Sequence, residues 1–553
     1  MCSLHPLTLD PSTMREVAPL ACILTATGAV IISKTIFLYK TLNILFSLQS
    51  LLEKRANQHS NWLAEWWLNA AYLDFRSPVV VYSNPGLVFP IRKFQTQEEQ
   101  LQYAAKTLLA VLEYNDGIPT EMMGKNPLDM SQYKKIFGTC RIPGLKRDSL
   151  SYSNSKYFTV IHNNHVRYFN LFSSIGSESS SPAANPVGIL TSENRDAWGQ
   201  AYDLLIKGKD FFIVNRHLTS TCLMKDVQQN IAGAQTIHGG GSQSNGANRW
   251  FDKTVQVCPI QLVNLNGVTG LTYEHSPAEG QPIAVMTDFI IRSIDENKTS
   301  GRSPSSKPKK PFALKFTINN DVQKAIKTAE DTDLELNCFT FANYGKNFIK
   351  SQKFSPDSYL QMAMQYAFYR LHKVPGAHYE SAATRMYSGG RTETIRSCSI
   401  ESVQFAQAML NQKCTPKEKV AALSNAINAH KNYTVQALQG LGVDRHLLGL
   451  KLLAIENGID IPKLYSDLGY VKSAHMRIST SQVACKCDAF MCYGPLVPDG
   501  YATCYNPRDN DVNFATSAFA SNSDTNCINY RNALEQSLQD MHDVLLLNTK
   551  SKL

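Results

Sequence analysis

Leu271-Thr272-Tyr273-Glu274-His275-Ser276-Pro277-Ala278-Glu279-Gly280 is the stretch on which the reading of the chain turns. A strand-like run from Val263 to Leu271, with Gly267 and Gly270 inside it, leads in, and an apolar segment from Pro282 to Ile291 leads out. The pattern places a histidine at a strand-to-turn junction with a carboxylate, Glu279, four residues on. An imidazole titrates near neutral pH and a carboxylate on its ring sets the tautomer, so the pair has the parts of a general base and its orienting partner. A structural histidine beside a glutamate leaves the same local pattern, and this stretch by itself does not separate the two.

At 553 residues, 43% hydrophobic and 18% charged, the chain has globular composition and length for two or more domains. The net charge of +9 is spread along the sequence, which predicts mild attraction for anions rather than a nucleic-acid footprint. No Arg-rich arm and no RRM, KH or zinc-finger pattern occurs, so nucleic acid is not expected as a partner. The cysteines number 13, and no Cys-x-x-Cys occurs. That count predicts free thiols, and Cys485-Lys486-Cys487 alone is no metal signature, so no metal is expected. Ser551-Lys552-Leu553 is the peroxisomal address when it forms a free C-terminus, with mitochondrion or endoplasmic reticulum as alternatives. The uncharged, largely apolar run from Val17 to Ser33 falls slightly short of the ~20 residues of a membrane span. It fits a marginal anchor, an import sequence or a packed helix, and membrane association through residues 17–33 stays open.

Leu45 to Tyr72 reads as helix. Strand-like runs follow at Pro78–Tyr82, Tyr157–His162, Val166–Phe172 and Asp210–Val214, with helical patterns such as Glu98 to Tyr114 between them. Ser173 to Ser181 is a Ser-rich loop, and residues 292–311 are polar, rich in Ser, Lys and Pro, and read as a linker between domains. Beyond it, Ala313–Ile318 and Leu334–Ala342 read as strands and Asp321 to Glu330 as helix. Ser355-Pro356-Asp357 starts a helix that runs to about Lys373, and Thr415-Pro416-Lys417-Glu418 is a capping box. Asp444 opens another helix, Met476 to Val483 alternates as a strand, and Tyr530 to Leu547 is a terminal helix. Helices and strands alternate throughout, so the class is α/β or mixed α+β.

Four further stretches bear on chemistry. Tyr379 to Ser397 is dense in hydroxyl and guanidinium groups, suited to a small anion or to a solvated loop. Lys346 and Lys350 share a face if their segment is helical, and fit a phosphate or an ordinary charged surface. On the Ile478–Gln482 strand, period two puts Ser479 and Ser481 on one face and Thr480 on the other, where a serine hydroxyl can stabilise an oxyanion or simply meet water. His238-Gly239-Gly240-Gly241-Ser242 lacks the terminal Lys-Ser/Thr of a P-loop, and no Gly-x-Ser-x-Gly elbow occurs, which argues against a serine hydrolase.

Taken together these stretches resemble the carnitine/choline acyltransferase family. Tyr273-Glu274-His275-Ser276-Pro277-Ala278-Glu279-Gly280 is similar to its catalytic signature, and Tyr379-Glu380-Ser381 with Gly390-Arg391-Thr392-Glu393-Thr394 to its substrate-binding stretch. Asp444-Arg445, Ile478-Ser479-Thr480-Ser481-Gln482 and Gly494-Pro495-Leu496-Val497-Pro498 follow in family order, over about residues 50 to 553. The resemblance implies a monomer with a two-domain coenzyme A-dependent acyltransferase fold, each domain a mixed sheet flanked by helices, with an active-site tunnel at the interface. It divides the chain into an atypical segment 1–50, a domain 51–312 with the catalytic histidine, and a domain 313–553 with the coenzyme A and carnitine contacts.

The activity implied is reversible transfer of an acetyl or short-chain acyl group between coenzyme A and carnitine, without an acyl-enzyme. Coenzyme A is then a co-substrate, and no cofactor is bound permanently. His275 is the implied general base, Glu279 bonds its other ring nitrogen, and Ser481 donates to the oxyanion. Carnitine is expected to meet Tyr379, Thr392 and Arg445 through its carboxylate, Tyr493 through its ammonium, and Trp67 and Tyr72 along its path. Lys346, Lys350, Asp357, Glu380, Ser381 and Gln482 lie on the implied coenzyme side. Met491 stands where a bulky side chain limits the acyl pocket, which predicts short chains. A medium-chain enzyme and a catalytically silent acyl-coenzyme A-binding paralogue are the alternative readings. The sequence departs from the family before residue 50, looks shortened at 173–186 and 215–227, and carries Ala383 in place of a coenzyme-side serine.

Overall fold

The computed structural model describes residues 43–118, 120–123, 125–154, 157–170, 183–207, 220–222, 237, 246–258, 266–267, 269–298, 312–329 and 334–550. The apolar run 17–33, the Ser-rich loop 173–181, the strand expected at 210–214, the glycine loop 238–242, most of the polar linker and residues 551–553 lie outside them. Among the described residues, no helix is long and apolar enough to cross a membrane. The chain forms two compact units, a smaller one of residues 1–62 with 445–472 and a larger one of residues 63–444 with 473–553.

The smaller unit's described part centres on a helix over 43–58 and on the helix Val443–Glu456, most of which belongs to it. The two approach closely because Gly449 has no side chain: a Cβ there would lie 2.7 Å from the Trp62 ring and 3.3 Å from Leu52. The single helix expected over 45–72 is thus interrupted, since the polar run Gln58-His59-Ser60-Asn61 offers side-chain partners that compete with helix bonds. It resumes as Ala64–Leu68 and then widens into a π-helical turn, Asn69–Leu73.

The larger unit holds two large sheets. The eight-stranded one runs in the order Phe312–Ala313, His165–Asn170, Tyr157–His162, Ser220–Cys222, Gln256–Cys258, Gly270–Thr272, Gly86–Val88 and Phe490–Cys492. Its hairpin turns at Asn163-Asn164, both at positive φ, the geometry that matches the twist of the flanking strands. The strand expected at Pro78–Tyr82 is instead a tight turn over Val79–Tyr82, with Val81 at positive φ, and the pairing strand comes later, at Gly86–Val88. Phe490–Cys492, from late in the chain, forms the far edge of this sheet.

The six-stranded sheet runs Leu334–Phe341, Val512–Phe519, Tyr501–Pro507, Ile478–Gln482, His378–Ala383 and Thr392–Ile395. The polar stretch Tyr379 to Ser397 is therefore a hairpin of two paired strands and not a loop: burial alternates along His378–Ala383, and Thr392–Ile395 is buried throughout. One face is apolar at Ile478, Tyr501, Phe514 and Ala518, and packs on the helices Pro356–His372 and Cys527–Lys550 in one core. Ser355 caps the first of these by accepting from Ser358 N, and Thr415 and Glu418 form the expected reciprocal box on the helix Pro416–Leu438.

Candidate active site

His275 follows Gly270–Thr272, an interior strand of the eight-stranded sheet, and its side chain is 20% exposed. The ring lies between two tyrosines, with Tyr72 stacked at 5.3 Å and Tyr273 at 5.7 Å between centroids. The π-helical turn brings Tyr72 to this position, and Trp67 meets Tyr72 edge-on at 6.4 Å. Burial pulls the His275 pKa below its ordinary value, against the opposing pull of Glu279. The imidazole is thus neutral, and able to accept a proton, at physiological pH.

Glu279 stands differently from the expectation that it bonds the ring nitrogen opposite the working one. Its Oε2 lies 3.6 Å from Nε2, too far for a hydrogen bond. The carboxylate is engaged elsewhere: Arg391 Nε donates to Glu279 Oε1 at 2.6 Å, and Tyr72 Oη donates to the same oxygen at 3.4 Å. Arg391 also donates from Nη2 to the His275 carbonyl at 3.0 Å and from Nη1 to the Ser276 carbonyl, and its guanidinium lies 4.8 Å from the Tyr72 ring centre. Burial opposes the charge of Arg391, but Glu279 raises its pKa, so the guanidinium stays charged. Gln132 closes the frame, accepting from Glu279 N at 2.8 Å and donating to Gly390 O at 3.0 Å.

Behind the histidine the chain is held by charge. Glu274 accepts from Ser276 N at 3.2 Å and from Arg141 Nη1 at 3.1 Å. Arg141 also donates to the Tyr72 carbonyl at 2.6 Å and to Asp148 at 2.7 Å, and Arg195 joins Asp148 to Asp252. Burial disfavours the Asp148 carboxylate, yet Arg195 and Arg141 hold its pKa below the usual range. Removing one partner from such a buried network costs about 3–5 kcal/mol, so the loop under His275 is stiff by construction.

The strand pairing sorts the remaining expected residues. Tyr379 pairs with Ser479, Ser381 with Thr394, Ala383 with Thr392, and Ser481 with Cys504, so Tyr379, Ser381, Thr392 and Ser481 share one face of the six-stranded sheet. The Ser481 hydroxyl makes no hydrogen bond among the described residues. Tyr493, just past the strand Phe490–Cys492, donates its hydroxyl to the Ser479 and Thr503 carbonyls at 3.2 and 3.0 Å. The Met491 sulfur and Val483 lie 3.0 and 3.3 Å from where a Cβ on Gly280 would be, which ties both the end of the serine strand and Met491 to the histidine loop.

Others fall away from that face. Glu380 points to the helix side, 4% exposed, with Oε2 accepting from Ser397 at 2.6 Å and bonded to His430 Nε2 at 2.7 Å. Its carboxylate is spent inside the protein, because alternation along the strand separates it from Tyr379 and Ser381. Asp357 also lies on the helix side, where Tyr505 Oη donates to its Oδ1, and Gln482 is exposed at its strand end. Lys346 and Lys350 share the short helix Lys346–Ser351, with Lys346 Nζ 3.1 Å from Asp509. Arg445 is buried and belongs to the smaller unit. Asp357, Glu380 and His430 bring three possible metal ligands within 4.8 Å of one another. Both His430 nitrogens and Glu380 Oε2 are already in hydrogen bonds, which makes the trio a proton-sharing cluster rather than a metal centre.

Arg391 and Gln132 were missing from the residues expected at the site. Arg391 stands next to Thr392 in the quoted hairpin and was legible there only as one more cation; Gln132 left no local signal.

The sequence model of one protein family, described as choline/carnitine O-acyltransferase, matches residues 40–536. A carnitine O-acetyltransferase of Columba livia is 41% identical over 549 residues, which cover 92% of this chain and 87% of that one. That of Homo sapiens is 40% identical with the same coverage. A choline O-acetyltransferase of Danio rerio is 33% identical over 547 residues, covering 90% of this chain and 85% of that one.

Proposed function

The chain belongs to the choline/carnitine O-acyltransferase family, and on that premise we propose that it transfers an acetyl or short-chain acyl group reversibly between coenzyme A and carnitine. The observation that supports this best is the state of His275: neutral through burial, stacked between Tyr72 and Tyr273, with its own carbonyl gripped by Arg391. A neutral imidazole on a fixed backbone is a general base with little left to reorganise.

In the forward direction His275 takes the proton of the carnitine hydroxyl as the oxygen attacks the thioester carbonyl. The tetrahedral oxyanion collapses by breaking the carbon–sulfur bond, and the imidazolium returns its proton to the leaving thiolate. The proton passes through His275, and no acyl group is ever attached to the protein. Ser481, whose hydroxyl is uncommitted, is the donor to the oxyanion, and one such donor is typically worth ~3 kcal/mol. Tyr379 and Thr392 share that face, which supports their assignment to the carnitine carboxylate. The ammonium group meets the Tyr493 ring, a contact worth about 1–2 kcal/mol when desolvated. Glu279 acts through Arg391: it keeps the guanidinium in place, and the guanidinium holds the His275 and Ser276 carbonyls.

The test is thiol release from acyl-coenzyme A of graded chain length, with carnitine or choline as acceptor. Acetyl-coenzyme A with carnitine is expected to give the highest kcat/KM. Turnover with choline but not carnitine would remove the acceptor assignment, and a preference for octanoyl over acetyl would remove the role given to Met491.

A further inference from the structure

Behind the strand that carries Tyr379 and Ser381 lies a polar cluster for which the mechanism has no use. His430, 3% exposed on the helix Pro416–Leu438, reaches two elements at once. Its Nε2 bonds Glu380 Oε2 at 2.7 Å on the strand His378–Ala383, and its Nδ1 bonds Ser358 Oγ at 2.9 Å in the first turn of the helix Pro356–His372. Ser397 adds a second bond to the same Glu380 oxygen. That first turn also holds Asp357, whose carboxylate is fixed by Tyr505. The helix is coupled in turn to the short helix of Lys346 and Lys350, since Tyr344 and Tyr359 join their hydroxyls at 3.2 Å and both tyrosines pack in one core with Ile349.

We propose that His430 is a positioning residue for coenzyme binding: it pins the N-terminal turn of the helix Pro356–His372 to the strand of Tyr379 and Ser381. In doing so it sets how far Asp357, Lys346 and Lys350 stand from the substrate face. The inference rests on the coenzyme A reading of the previous subsection, and it adds a residue that touches neither substrate. A buried carboxylate with a charge-assisted bond is a stiff joint, because loss of the partner leaves the charge uncompensated. No other described side chain bonds both Ser358 and Glu380.

The cluster also has a pH signature. The titratable groups facing His430 are Glu380 and Asp357, with Tyr505 against the acid pair and His378 beyond it. Burial disfavours the His430 imidazolium, but Glu380 and Asp357 raise its pKa above the ordinary value. Burial and then Glu380 hold the Asp357 carboxyl well above the usual range. As pH rises through the His430 pKa the imidazolium loses its proton, and the bonds that pin Glu380 and Ser358 together lose their charge assistance. Coenzyme affinity therefore falls in that window, above the ordinary imidazole pKa.

The experiment measures coenzyme A binding by calorimetry and initial rates with acetyl-coenzyme A and carnitine, on the full chain, between about pH 5.5 and 8.5. Three variants are compared with the wild type: His430→Gln, His430→Leu and Ser358→Ala. His430→Leu is expected to raise the coenzyme Kd and KM about tenfold or more, the size of one lost hydrogen bond to a charged group, with a smaller change in kcat and in the carnitine KM. His430→Gln keeps a donor for Glu380 and an acceptor for Ser358. Being neutral at every pH, it should hold the affinity near the wild type's value above the His430 pKa, tighter than His430→Leu, and abolish the pH step. Ser358→Ala removes one bond of the pin without stranding a charge, and should weaken coenzyme about threefold even if His430→Leu does not fold. Unchanged coenzyme affinity in Ser358→Ala, equal effects on both KM values, or a pH step that survives in His430→Gln would overturn the inference. Absence of coenzyme A binding to the wild type would instead overturn the coenzyme reading itself.

Discussion

The two faces of the six-stranded sheet differ in how their polar groups are used. On one face Ser481 keeps a hydroxyl with no partner among the described residues, beside Tyr379, Ser381 and Thr392. On the other face one group of polar side chains is bonded in a chain. Gln365 donates to His378 Nδ1, His378 Nε2 bonds Thr480 Oγ1 at 2.7 Å, and Gln361 donates to Thr480 Oγ1 at 3.0 Å and to the Tyr505 hydroxyl at 2.9 Å. Burial, and then His430, push the His378 pKa down to about 3, so this histidine is a neutral link and not a base. The difference teaches that adjacent residues of one strand serve opposite purposes. A hydroxyl left open is available to a reaction, and a hydroxyl fully bonded holds the strand that presents it.

The reference for any such comparison is His275→Ala, which should lower kcat by ~10²–10⁴-fold in the thiol-release assay, the usual contribution of a general base. A variant that keeps nearly all of the wild-type rate would take His275 out of that role. In the wild type, at saturating acetyl-coenzyme A, log kcat/KM for carnitine should climb as pH rises through the depressed His275 pKa and be level before neutrality; a climb that continues past neutrality would contradict the burial argument. Ser481→Ala comes next, with kcat down by about 10²–10³-fold and an unchanged melting temperature. Thr480→Val keeps the shape of its neighbour but strands the His378 and Gln361 donors. It should cost about 1–3 kcal/mol in urea unfolding while the rate falls far less than in Ser481→Ala. If the two variants exchanged these phenotypes, the contrast between the faces would be wrong. The smallest effect is expected from Tyr493→Phe, which releases the Ser479 and Thr503 carbonyls: a stability loss of about 1 kcal/mol and a modest rise in the carnitine KM. A large fall in kcat there would mean that the hydroxyl, and not the ring, is what the substrate meets.

Which face of a strand a residue takes is legible from alternation alone. Period two separates Ser479 and Ser481 from Thr480, and the same parity places Glu380 opposite Tyr379 and Ser381. Family resemblance put Glu380 with the coenzyme contacts, whereas the structure commits its carboxylate to Ser397 and His430. The helix starts at Ser355 and Thr415 were also local matters, since a cap needs only its own next three residues. The strand expected at Pro78–Tyr82 failed for the complementary reason: Val79, Val80 and Val81 have strand-forming side chains, but their burial is among core residues of the turn and they enter neither large sheet.

The sequence by itself determined the α/β class and which face of its strand each hydroxyl takes, because these follow from periodicity, while the histidine stood out through the resemblance to a family. Only the tertiary structure decided what Glu279 does. Its partner Arg391 is 112 residues away, and Gln132 reaches it from 147 residues away. No local pattern encodes such pairs, since they exist only once two strands and two loops have been packed. A carboxylate takes the cation that packing brings to it, and here packing brought a guanidinium to Glu279 at bonding distance and left the imidazole beyond it.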